Sequence, residues 1–283
     1  MPFARRQSET IEDVIAVMDG IIEAAILHPN RLGYFASLYR AVTVVVKERC
    51  DAADLFDDND RMRRLDIVFA NRYFDAFFAE HDGGSCTGAW KAAFDNAPDR
   101  RMLILQHLLL GVNAHIALDL GIAAATIARE YDGLTQSLED DFTRLNHLLG
   151  SMVDMVQQDI GELSPLIKYA DRLTWRVDEA FVSFSINIAR NKAWAFARSL
   201  VELPAADWNQ AITARDAKVE RFGRHVIGGR TVPFAPLVWI VNLRESKDVR
   251  RVVTTLSSET SQAMVRQRLA VSPAPRNPGV PTG

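Results

Sequence analysis

The chain is 283 residues long, 48% hydrophobic and 24% charged, with a formal net charge of −3. That balance buries a globular core without staples and lacks the basic footprint of a nucleic-acid binder. Its two cysteines, Cys50 and Cys86, have no CxxC spacing, which excludes a zinc knuckle, a dithiol redox motif and a disulfide framework and points to a reducing, cytoplasmic setting.

Apolar residues recur with a helical period almost throughout, and strand alternation is almost absent. The N-terminal stretch is basic, then quickly acidic, without the apolar run and cleavage site of a signal peptide. Ser8, Thr10 and Glu12 open a first helix that reaches about His28, where Pro29 and Asn30 stop it. A second helix covers about Arg31–Arg49. The acidic stretch DAADLFDDND follows as a loop or capping segment, better read as solvated charge than as a magnesium site. A third helix runs from about Asp60 to Glu80. Gly83, Gly84 and Ser85 mark a turn, and a short helix at Ala89–Asn96 leads to Pro98.

A long central helix then spans about Arg100–Tyr131 and ends at Gly133. Its apolar run is interrupted by Gln106, His107, Asn113, His115 and Asp119. A membrane span would be penalised by roughly 2.5–3.5 kcal/mol for a central Asp alone, so this segment reads as a buried helix and not a span. Helices at about Ser137–Ile160, Leu173–Leu203, Ala205–Phe222 and Pro233–Leu256 complete the pattern, with a short turn of helix at Ser164–Pro165. The piece LVWIVNL (237–243) reads as helix, with a short strand as the alternative. The expected fold is all-α: one compact bundle of roughly eight to ten helices over residues 1–257, then a mostly disordered Pro/Gly-rich tail over 258–283.

The central helix carries the candidate chemistry. His107, Gly111, His115 and Asp119 follow one another at i+4 steps and form a slowly drifting line on an apolar side. Buried ionisable groups need a charge partner, hydrogen bonds or a metal. His115 and Asp119, one turn apart, can reach the same divalent ion (zinc, iron or magnesium) and are the candidate metal ligands. His107 lies about 12 Å from His115 along the axis and is a candidate general base, further ligand or hydrogen-bond partner. Gly111 would leave room for a ligand, and Asn113 would line the same small-molecule pocket. On the third helix Asp66 points inward among Met62, Phe69, Tyr73 and Phe77. It is a candidate catalytic group, although Arg63 and Arg64 stand close enough in sequence to pair with it. On the later long helix Ser183, Asn187, Arg190 and Trp194 share a stripe. Arg190 could neutralise Asp66 or Asp119 or hold an anionic substrate group. Phe69, Tyr73 and Trp194 would form the apolar wall. Asn146, His147 and Asp154 are weaker candidates.

The segments LGYFASLYRAVT (32–43), LDIVFANRYFDAF (65–77), LQHLLLGVNAHIALDLGIAAA (105–125) and ARDAKVERFG (214–223) resemble an uncharacterised family of bacterial helical proteins, known as a domain of unknown function. The resemblance implies a shared helical fold and brings no activity with it. More loosely, Gly111, His115 and Asp119 form GxxxHxxxD, similar to a motif of the zinc-dependent phospholipase C and single-strand nuclease superfamily. That resemblance implies zinc held by His and Asp of one helix and water activated for phosphoester hydrolysis. Leu120–Thr126 holds neither the Pro nor the His of the superfamily's PxH element, and its N-terminal Trp ligand is absent, so part of a three-zinc ligand set is missing.

Three functions follow as expectations. The first is a metal-dependent, hydrolase-like enzyme acting on a small molecule beside the central helix. The second is a metal-free lyase, cyclase or isomerase using Asp66, Asp119 or His115 as acid or base on an apolar molecule. The third is a non-catalytic helical binding protein whose polar row is structural.

Overall fold

Local capping chemistry sets where the helices start. A computed structural model describes residues 7–131, 133–145, 148, 162–164, 186–228 and 235–258. Thr10 accepts from the Asp13 backbone while Asp13 accepts from that of Thr10, a capping box that starts α1 (Ile11–Leu27). Helix α2 (Leu32–Ala52) runs three residues further into the acidic stretch than the pattern predicts and stops where Ala53 turns left-handed, φ 51°. Asp58 caps α3 (Asn59–His81). The short helix α4 (Gly88–Asn96) is capped from outside: Asp216 accepts from the Gly88 and Ala89 backbones at 2.7 and 2.9 Å. That bond pins α4 to α9 (Trp208–Gly228).

The predicted central helix is three pieces on one axis. Helix α5 (Ile104–Ala114) starts four residues later than expected, a π-turn spans His115–Asp119, and α6 continues over Leu120–Glu130. The described part of α7 covers 136–145, and α8 (Ile186–Glu202), α10 (Ala235–Arg244) and α11 (Val249–Leu256) complete the set. The 237–243 segment is therefore helix. The fold is all-α, and among the described residues there is no strand. The expected helical pieces at 149–160 and 173–185, and the tail beyond Ser258, lie outside the described residues.

The α5–π–α6 axis is the core around which the others pack: α4 and α9 lie against α5, and α3 and α8 against α6. Gly121 makes the α8 contact close, since a β-carbon there would stand 2.7 Å from the Ala193 carbonyl oxygen. Ile104–Glu130 is long and apolar enough to cross a membrane by composition, but 89% of its most apolar window is buried inside the protein. It is the core helix the sequence implies.

A second constraint closes the acidic loop. Asp141 on α7 is fully buried, 0% exposed. It accepts from Arg61 at 2.7 Å, from Arg144 at 2.8 Å, and from the Asp57 and Asp58 backbones at 2.7 and 3.1 Å. Removing the carboxylate strands a buried guanidinium and two backbone donors. Asp141→Ala is therefore expected to lower the unfolding free energy by about 3–5 kcal/mol. Chemical denaturation measures this, and a change under about 1 kcal/mol would show that the network is dispensable.

Candidate functional site

The π-turn is the geometric origin of the site. A single wide turn inside an α-helix recurs at functional positions because it re-aims the side chains around it. Here the Leu120 N–H bonds the His115 carbonyl, five residues back, and the two key side chains, four residues apart, face one another.

Asp119, 1% exposed, holds three partners. Its Oδ1 accepts from Arg72 Nε at 2.9 Å, its Oδ2 accepts from Trp90 Nε1 at 2.8 Å, and Oδ2 lies 3.4 Å from His115 Nδ1. Burial pushes this carboxyl up, but Arg72, His115 and Trp90 together outweigh it and hold it below the usual carboxylate range. Arg72, with 30% of its side chain exposed, links the buried charge to the surface. For His115 burial is the largest influence, and it holds the ring below its ordinary value against the pull of Asp119. The neutral ring turns Nδ1 toward Asp119, which leaves Nε2 as a lone-pair acceptor.

Aromatic rings surround this imidazole. Phe69 stacks on it at 3.5 Å between centroids, and Tyr39 meets it edge-on at 4.4 Å. Phe35, Trp90 and Tyr73 follow at 5.5, 5.9 and 6.2 Å. Within and beside the box lie buried polar atoms that close no hydrogen bond: His115 Nε2, the hydroxyls of Tyr39 and Thr43, and Asp66 Oδ2. Tyr39 and Thr43 are one turn apart on α2, and Asp66 is one turn before Phe69 on α3. Burial lifts Tyr39 well above its ordinary value, with the charges of Asp66 and Asp119 adding to it and the nearby Thr43 hydroxyl opposing. Burial also lifts Asp66 to about 7. Each such unpaired atom costs about 1–3 kcal/mol, so this corner of the core is held at the expense of stability.

The structure brings His115, Asp119, Phe69 and Tyr73 together, with Asp66 near Tyr39, and gives several other sequence candidates different surroundings. Gly111 does not open onto a ligand space, because a β-carbon there would stand 2.6 Å from the Phe35 ring that fills it. Asn113 donates to the Val219 carbonyl at 2.9 Å and joins α5 to α9. His107 sits at the other end of α5, against Tyr34 with ring centroids 6.0 Å apart. Arg190 is buried, and burial lowers it to about 10. The cation on Asp119 is Arg72 instead. Trp194 packs on Phe142 at 4.7 Å and is not one of the rings around His115. Arg63 and Arg64 do not neutralise Asp66: Arg63 pairs with Asp51 and Asp60, and Arg64 with Glu130. Asn146, His147, Asp154 and Ser183 lie outside the residues whose side chains are described, as does the side chain of Asn187.

Sequence reasoning missed Arg72, Trp90, Tyr39 and Phe35. One signal was present for Arg72: it adjoins Tyr73, which the helical period aims inward, and a buried Asp119 demands a cation. Nothing in the local sequence of α2 or α4 marks Tyr39 or Trp90. Among the described residues no three His, Cys, Asp or Glu side chains converge in a way that could hold a metal ion.

A family model described as a family of unknown function, DUF5995, fits residues 11–228, which include every side chain of this site. No curated protein and no solved structure matches the chain.

Asp66 gives the site a measurable signature. Its folded-state value is raised, so the unfolded chain ionises first, and this group withdraws stability as pH rises from about 4 to about 7. Above that the loss is complete. Asp66→Asn removes the penalty and is expected to stabilise the protein by roughly 2–4 kcal/mol at pH 8, with little effect at pH 4. Denaturation curves at both pH values test this, and equal effects at the two would show that Asp66 keeps an ordinary acidity.

Proposed function

Because the chain belongs to DUF5995, a family of unknown function, we propose from its own residues that it is a metal-free acid–base enzyme acting on a small, mostly apolar molecule beside the central helix. The observation that carries this reading is the unpaired polar atoms on Tyr39 and His115, whose rings meet, and on Asp66 near Tyr39. Asp66 keeps a proton near neutrality and can donate it. His115 Nε2, its ring oriented through Nδ1 by Asp119, can accept one. A donor and an acceptor at one apolar site are the requirement for moving a proton within a substrate, as in an isomerase, a lyase or a cyclase. Arg72 acts through Asp119 as a positioning residue, and Phe35, Phe69 and Tyr73 exclude water.

The donor set supports a metal-dependent hydrolase less well. A divalent ion on His115 and Asp119 would have to displace Arg72 or Trp90 from a carboxylate already bonded through both oxygens. A binding protein is the second reading, favoured by how directly the rings pack on His115.

The test uses purified protein, exhaustively chelated, incubated with small-molecule extracts and followed by mass spectrometry. A compound should be consumed in the presence of chelator, and the rate should fall about 100-fold or more in Asp66→Asn. That variant is expected to be the more stable protein, so lost turnover would not reflect unfolding. Turnover restored only by added zinc, iron or magnesium would overturn the proposal in favour of the hydrolase. A compound retained but never converted would make the protein a binder.

A further inference from the structure

A second set of buried polar groups lies at the opposite end of α5, where α10 and α11 dock as an arm. These two helices follow the stretch that the family model matches, which ends at residue 228. The inward side of the arm is well accounted for. Glu245, in the link between the helices, is 5% exposed, and its Oε2 caps α5 by accepting from the Ile104 backbone at 3.0 Å. Asn242 donates to the Arg101 carbonyl at 3.1 Å, and Val241 is buried. Helix α11 buries Val249, Val252, Val253 and Leu256 against α1 and α2. The outward side of α10 has no such partner. Ile240 and Leu243 are 47% and 60% exposed, and with exposed Arg244 they share one face of the helix. Leu27, 68% exposed, ends α1 at the same end of the protein, where Arg250 donates to the Ile26 carbonyl at 2.8 Å.

Charge is unevenly spread along the chain. Residues 235–283 carry seven Lys or Arg against three Asp or Glu, a net +4, while residues 1–234 carry −7. At the arm, cations gather without enough anions. Burial lowers Lys247 against the pull of Glu245, and the nearby Arg31 and Arg100 lower it further. Among the described residues, Arg100, Arg244 and Arg251 meet no carboxylate, whereas Arg49, Arg63, Arg64 and Arg198 each hold one. We infer that this end of the protein docks on an anionic phospholipid surface: Ile240 and Leu243 enter the acyl boundary, and Arg244, Lys247 and Arg100 meet the lipid phosphates. An exposed leucine alone means little, but aliphatic side chains beside crowded cations match the two components of such a surface. The ten residues of α10 are too few to cross a bilayer, so the contact is peripheral. Two or three aliphatic side chains are also too few for the apolar core of a stable protein interface. A nucleic acid would want flat rings for its bases to stack on, and Ile240, Leu243 and Leu27 offer none.

Flotation of the intact protein with lipid vesicles tests this. The protein should rise with vesicles of phosphatidylcholine and phosphatidylglycerol in equal parts, stay behind with phosphatidylcholine alone, and detach as salt is raised. Arg244→Gln should weaken the binding by about fivefold. Leu243→Asn should weaken it by roughly tenfold at every salt concentration. Both side chains are exposed, so denaturation curves should match those of the unaltered protein and separate lost docking from lost folding. Arg64→Gln, at the Glu130 end of the central axis, should float as the unaltered protein does. Equal flotation with both vesicle types, none with either, or undiminished binding in both arm variants would overturn the inference. So would a dimer in light scattering that Leu243→Asn abolishes, which would make the face a contact between copies. Tighter binding to an oligonucleotide than to the anionic vesicles, lost in Arg244→Gln, would overturn it in favour of a nucleic-acid face.

Discussion

One buried negative charge organises the centre of this protein. Asp119 sits inside the most apolar helix of the chain, where an unpaired carboxylate would cost several kcal/mol. Its three partners come from three elements: Arg72 from α3, Trp90 from α4 and His115 from the π-turn. Satisfying that charge fixes how α3 and α4 lie on the central axis. It also stands the His115 ring upright among Phe69, Tyr39 and Phe35. The aromatic box is thus a consequence of the charge: once the imidazole is tethered through Nδ1, only its faces and Nε2 remain for other groups to meet.

The polar row on the central helix resolves into two clusters, one at each end of α5. The i+4 spacing from His107 to Asp119 suggested one continuous line. Gly111 divides it, because the α2 side chain Phe35 occupies the gap where a ligand was expected. The N-terminal cluster binds the arm that follows the family-matched region, and the C-terminal cluster lies wholly within that region.

Much of the fold was legible because helical period and capping are local properties. Thr10, Asp58 and the Pro and Gly stops place helix ends to within a few residues. The inward aim of Asp66, Phe69 and Tyr73, and of His115 and Asp119, follows from the same period, and all five are buried. What the sequence hides is pairing between distant segments. Arg72 is 47 residues from Asp119, and Glu245 is 141 residues from the amide it caps. Arg190 was the cation the helical stripe offered Asp119, and the packing of α3 on the π-turn supplies Arg72. The π-turn itself is invisible to periodicity, because one widened turn barely disturbs a pattern that is apolar on all sides.

The strongest argument for chemistry at this site is the contrast between its two buried aspartates. Both are carboxylic acids in the same core, and burial pushes both upward. Asp119 is met by a guanidinium, an indole and an imidazole and ends below the ordinary range; Asp66 is met by none of these and ends at about 7. A purely structural aspartate would be expected to resemble Asp119, since each added partner offsets its burial. An asparagine or a leucine at position 66 would fill the same space with less penalty. Environments that drive two like acids apart, one to stay charged and one to keep its proton, are how a single site comes to hold a positioning anion beside a usable acid.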